Sequence, residues 1–191
     1  DLISDYKMSE NDFEIIKNPG VRIEFDVNDR DTSTYSATIK PGEMLGVYGV
    51  AYAAPSTNNF VLPLRNGAPE IGSDLFVGIA AEESDEVAAT DGKVLVDLAI
   101  PAHTVIRGKA NTSGNMDTAS ELLGLMFDSV TVDRTGAAIT ASAATIDENE
   151  GSDPNVHGLI IVGGDIVKYT LDVLINANAG LAGNLVSQTM D

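Results

Sequence analysis

The sequence predicts a mainly β protein: an antiparallel β-barrel or sandwich of about ten short strands, with one short α-helix and an N-terminal arm. Three observations predict it. Apolar and polar residues alternate with a period of two in several stretches, as in Val21-Arg22-Ile23-Glu24-Phe25-Asp26-Val27. Turn-forming residues punctuate the chain, with 18 Gly and 7 Pro. Only one window carries both a helix start signal and a helical apolar face. The chain has 191 residues, enough for one domain with a buried core and a small appendage.

In chain order, residues 1–20 are polar with scattered apolar anchors (Leu2, Ile3, Tyr6, Phe13, Ile15 and Ile16) and no clean period, so they are expected to form an arm. Asn18-Pro19-Gly20 is a turn. The strand at 21–27 should be half-buried, with Val21, Ile23, Phe25 and Val27 on one face, and residues 35–39 should return as its hairpin partner. Residues 44–53 are strand-like but broken by Gly46 and Gly49. Residues 54–72 carry three prolines and are expected to be loop with one strand near 60–64. An apolar strand is expected at 75–81, and an acidic loop at 82–92. Residues 93–100 and 103–110 read as paired strands about Pro101-Ala102, with Val94, Val96, Leu98 and Ile100 on one apolar face.

The helix is expected over 117–127. Thr118-x-x-Glu121 is a capping box, and Leu122, Leu123, Leu125 and Met126 give it an apolar face. Strands at 129–133 and 137–146 should form a hairpin about Arg134-Thr135-Gly136. Strands at 159–162 and 166–175 should form another about Gly163-Gly164-Asp165. Residues 176–191 are a tail of small residues. The expected organisation is therefore an arm at 1–20, a β-rich domain at 21–175 with 111–175 as a candidate subdomain, and a tail at 176–191.

Charge limits the partners. There are 11 Lys+Arg against 29 Asp+Glu, a net −18, so the field of the chain repels nucleic acid and anionic membrane surfaces; neither is an expected partner. No apolar run approaches the ~20 residues of a membrane helix. The first residues carry neither a basic n-region nor an apolar h-region, so no signal peptide is expected. There are 0 Cys, which removes disulfides, thiolate nucleophiles and Cys-ligated metals.

The remaining chemistry is sparse. His103 and His157 are the 2 histidines and are expected on the surface. Ser4-Asp5-Tyr6-Lys7 matches S-x-x-K, but the further motifs of acylating enzymes are missing and the match lies in the arm. Asp147-x-Asn149-x-Gly151-x-Asp153 spaces oxygen ligands as calcium loops do, as does Asp26-x-Asn28-Asp29-x-Asp31. Gly158 stands where an EF-hand needs its Glu, so solvated turns are expected. Arg107 and Lys109 share a face with Val105, a basic pair suited to an acidic partner or, as expected here, to a cross-strand pair with Asp97. No catalytic residue, metal or cofactor is expected.

Gly67-Ala68-Pro69, the stretch from Ile71 through Asp74-Leu75-Phe76-Val77-Gly78-Ile79 to Ala81, and the later Pro101-Ala102-His103-Thr104-Val105-Ile106-Arg107-Gly108-Lys109-Ala110 resemble the head decoration (cement) proteins of tailed bacteriophages. The likeness covers roughly residues 40–110 and consists of strand-and-turn patterns around a small barrel. It implies a non-enzymatic virion protein on the outer surface of a capsid, a homotrimer that clamps major capsid subunits. The long arm and the region 111–175 depart from the compact family pattern. The apolar anchors Leu2, Ile3, Tyr6 and Phe13 are the expected contacts with a capsid or neighbouring subunit, by draping or strand addition. The alternative is a β-sandwich carbohydrate-binding or adhesion module, against which the absence of Trp argues.

Overall fold

The structure is a computed structural model that describes residues 13–27, 39–48, 61–64, 66–71, 74–84, 92–134, 144–177 and 179. Within them are eleven strands, one α-helix and one 3-10 turn at Ser113–Asn115. The strands are β1 (Glu14–Lys17), β2 (Arg22–Val27), β3 (Met44–Tyr48), β4 (Leu62–Pro63), β5 (Asp74–Ala80), β6 (Gly92–Leu98), β7 (Val105–Lys109), β8 (Ser129–Arg134), β9 (Ala144–Asp147), β10 (Leu159–Asp165) and β11 (Thr170–Ile175); the helix is α1 (Ala119–Leu125). They build two antiparallel sheets. One is six-stranded in the order β1-β7-β11-β10-β8-β9, and the other is five-stranded in the order β2-β6-β5-β3-β4. The mainly β class with one short helix is therefore as the sequence predicts.

The six-stranded sheet rolls up. Ala110, just past β7, bridges Ile146 of β9 in parallel, and Asn111 N donates to Ile146 O, so the last strand returns to the second. Period-two alternation fills the interior: Ile106 and Gly108 point in from β7, Leu159 and Ile161 from β10, and Leu171, Val173 and Ile175 from β11. Phe76, Ile79, Met44 and Leu64 of the other sheet complete this core. The five-stranded sheet buries its opposite face as well, around Val27, Leu45, Val77, Val94 and Val96. A bulge where β3 meets β5 lets Phe76 and Ile79, three residues apart, face the same core, while Val77 and Ala80 face the other.

Several expected connections are redrawn. Residues 93–100 and 103–110 do form strands, but β6 and β7 belong to different sheets, and the turn at Pro101 carries the chain between layers. Thr104 holds that turn: its hydroxyl accepts from Ile100 N at 2.7 Å and donates to Asn18 O at 2.7 Å. Gly163-Gly164-Asp165 is not the hairpin turn. β10 runs on to Asp165, which pairs with Thr170, and residues 166–169 make the turn. Gly164 is needed for close packing instead, since a Cβ there would lie 2.6 Å from Thr170 O and 3.0 Å from Leu122 Cδ1 of the helix. Residues 13–20, read as part of an arm, include strand β1, which pairs with β7. Region 111–175 is no separate subdomain, because β8–β11 share a sheet and a core with β1 and β7. Residues 35–38 and 137–143 lie outside the described residues.

Arg134 was expected in a turn; it ends β8 and crosses the seam between the layers. Its guanidinium pairs with Glu43, before β3, and also donates through Nε to Leu64 O, while its backbone N donates to Asn66 Oδ1 at 2.8 Å. The two charged side chains are only 4% and 2% exposed. Two desolvated charges hold each other in place, and removing one leaves the other buried and unpaired, at a cost of about 3–5 kcal/mol. Arg134→Met should therefore lower unfolding stability in guanidinium titrations by that amount. The double variant Arg134→Met with Glu43→Leu should recover much of it. A single-variant loss below about 1 kcal/mol would remove the pair from its structural role.

Candidate functional site

Among the described residues, buried ionisable side chains lie at three places, and each is held by other groups of the chain itself. The first is the Glu43–Arg134 seam. The second is Glu148, buried at the start of the loop after β9. Its carboxylate accepts from Asn111 N and Thr112 N, both at 2.8 Å, and from Asn149 Nδ2 at 3.1 Å. The third surrounds His157. Contrary to expectation His157 is buried: Nδ1 lies 3.0 Å from Ser129 O, and Nε2 lies 3.4 Å from Glu150 Oε1. Glu150 in turn accepts from the hydroxyl of Thr131. Nucleophile, base and acid are superficially present here, but the hydroxyl donates to the carboxylate and does not face the imidazole. That geometry clamps the 148–158 loop onto β8 and does not activate an oxygen. His103 is exposed, as expected, and its carbonyl accepts from Asn18 Nδ2.

The calcium-like spacing at 147–153 is taken up internally. Asp147 Oδ1 accepts from Asn149 N, Asn149 Nδ2 donates to Thr112 Oγ1 at 2.8 Å, and Asp153 Oδ1 accepts from Asn155 N. No group of three or more His, Asp or Glu side chains is placed to hold an ion among the described residues. Of the second acidic turn, residues 28–31 lie outside them.

Cations are spent across strands. Arg107 pairs bidentately with Asp172 of β11, at 2.7 and 2.9 Å, and not with Asp97; its hydrogen bond to Asp172 raises its pKa. Asp97 takes Arg22 of β2 at 2.7 and 2.8 Å, which raises the Arg22 pKa in the same way. Lys109 donates to Lys168 O. In the β10–β11 turn, Asp165 Oδ1 accepts from Val167 N at 2.9 Å and from Lys168 N at 3.1 Å. Those backbone donors, the Lys168 amide foremost, hold the Asp165 carboxyl below its ordinary pKa, and the charges of Lys168 and Arg107 add to this.

The expected anchors Leu2, Ile3 and Tyr6 lie outside the described residues. Phe13 is 2% exposed and packs inside the barrel, so it is a core residue and not a surface anchor. A Cβ at Gly108 would stand 2.4 Å from its ring, which is why β7 carries glycine there.

The surface itself carries apolar groups that patterning did not single out. Leu123 and Phe127, four residues apart, are largely exposed, as are Val167 and, on the other sheet, Val21. Only Leu122 and Leu125 of the expected helix face pack on the core. Phe127 is 74% exposed and sits at φ 70°, a left-handed conformation that strains a bulky residue. Its N–H donates to Ile161 O, which ties the Phe127 backbone to β10. Capping supports this display: the Thr118 hydroxyl accepts from Glu121 N while the Glu121 carboxylate accepts from Thr118 N, so α1 begins at a fixed point. No protein-family model and no curated protein matches the chain.

Two outcomes are expected. Phe13→Ala should destabilise the fold by about 3–5 kcal/mol in denaturant titrations, where an arm residue would change nothing. The Asp165 carboxyl, lowered in the folded state, contributes stability that is present above its unfolded pKa and lost as pH falls through its folded value. The amide resonances of Val167 and Lys168 should therefore titrate with a midpoint below that of an ordinary aspartate, and Asp165→Asn should abolish the transition. A midpoint at or above the ordinary value would contradict the turn geometry.

Proposed function

We propose that this chain is a structural decoration, or cement, protein: it binds the outer surface of a viral head and braces contacts between major capsid subunits, without catalysis or cofactor. The observation that carries the reading is the contrast between interior and surface. Converging ionisable groups are consumed in internal hydrogen bonds, while large apolar side chains, the strained Phe127 foremost, are held outward on a double-layered β scaffold. The resemblance to phage head decoration proteins supports the same reading. Its stretches fall on β5, β7 and the layer-crossing turn before β7, that is, on the framework of both sheets. A homotrimer is part of the proposal through that resemblance. The strongly negative charge suits a protein that coats particles which must stay dispersed, and repeated copies on a lattice let modest contacts add. Leu2, Ile3 and Tyr6 are the proposed capsid contacts, on their sequence pattern alone.

Heads prepared without this chain should bind it in co-sedimentation and gain resistance to heat and osmotic shock. Deleting residues 1–12, which leaves β1 and Phe13 in place, should preserve the circular dichroism spectrum and weaken attachment. Absence of binding and of any gain in particle stability, with the folded protein binding a glycan array instead, would replace this reading with the adhesion-module alternative.

A further inference from the structure

Asn66-Gly67 is the only Asn-Gly step in the chain. It follows β4 at the seam between the layers, and the fold uses both residues. Asn66 Oδ1 accepts from Arg134 N at 2.8 Å, which satisfies the backbone at the end of β8. Gly67 has φ 76°, a left-handed conformation that glycine adopts at little cost. From there Gly67 N donates to Val132 O at 2.8 Å, and Val132 N donates to Ala68 O at 2.7 Å. Asn66 is exposed, while Val132 is fully buried.

The same dipeptide is chemically labile, because glycine leaves its backbone nitrogen unshielded beside the asparagine amide. In deamidation Gly67 N attacks Asn66 Cγ. An N–C bond forms, the bond from Cγ to the side-chain nitrogen breaks, and that nitrogen leaves as ammonia with the proton given up by Gly67. Water then opens the cyclic imide at one of its two carbonyls. One opening yields aspartate. The other yields isoaspartate, in which the main chain runs through the former side chain. In the folded chain the attacking nitrogen is engaged. Attack must break its bond to Val132 O and turn Asn66 Cγ away from Arg134 N. The reaction therefore runs through opened chains, at a rate set by the fraction open.

We propose that Asn66-Gly67 is a latent modification site, silent in the folded chain and converted to aspartate or isoaspartate in a chain whose seam opens. The two products differ in what they restore. Aspartate keeps an oxygen that accepts from Arg134 N. Isoaspartate lengthens the main chain by one carbon at residue 66, so the cap on Arg134 N and the bonds of residues 67 and 68 to Val132 no longer fit together. Opening becomes irreversible in the fraction that forms isoaspartate. None of this depends on what the chain binds, and the purified protein suffices to test it.

Peptide mapping reads deamidation as the mass gain of the peptide holding residues 66 and 67 after incubation at mildly alkaline pH. Folded protein should deamidate there at least about tenfold more slowly than the same protein in guanidinium. Arg134→Met removes the buried guanidinium but keeps the backbone N that Asn66 caps. It should raise the rate in native buffer several-fold, with folding checked by circular dichroism. Equal rates in folded and unfolded protein would overturn the proposal, as would a folded Arg134→Met variant that deamidates no faster than its parent. Chains that acquired isoaspartate in guanidinium should refold to a lower unfolding midpoint than the Asn66→Asp variant. Equal midpoints would overturn the irreversible step.

Discussion

The Arg134–Glu43 pair is the contact on which the joining of the two layers depends. Arg134 closes β8 in the rolled sheet, and Glu43 precedes β3 in the other. Apolar surfaces pack without strong directional preference, so a hydrophobic seam alone would tolerate sliding of one sheet over the other. A buried charge pair with a third bond to Leu64 O tolerates little, since any slip strands a charge in the core. The layer-crossing turn at 101–104 and the crossing bonds of residues 67 and 68 to Val132 reinforce the same seam.

Scarce positive charge organises much of the remainder. Arg22, Lys93 and Arg107 each join neighbouring strands of one sheet to an acidic partner. These exposed or half-exposed pairs contribute little to stability individually. Their effect is on register and on the sign of the surface, because each leaves a face locally neutral while the chain as a whole stays strongly acidic. The proposed brace thus combines a fixed two-layer body with apolar groups held outward.

Much of the fold was legible because period-two patterning reports directly on half-buried strands. β2, β5, β6, β7 and β8 sit within about two residues of where alternation puts them. The helix was legible from its capping box, whose two reciprocal bonds are local. What failed was non-local. Nothing in Gly163-Gly164 distinguishes a turn glycine from one making room for Leu122, because the helix it accommodates lies far back in the chain. Nothing in Pro101-Ala102 says that the next strand changes sheets. Phe13 looked like an isolated anchor, since its partners Gly108 and Ile146 are distant in sequence. Arg134 looked like turn polarity until the layers brought it to Glu43. Phe127 carried no signal at all, because its exposure follows from where α1 stops.

In the proposed function the chain works as a rigid body that sticks, through surfaces and copy number, without making or breaking bonds. Cryo-microscopy of the native assembly containing it tests this most directly. The proposed function predicts the chain on the outside of a shell, both layers intact, with Phe127 covered by a neighbouring subunit. Density for a small molecule or ion enclosed by His157, Glu150 and Thr131, in a chain attached to no particle, would contradict it.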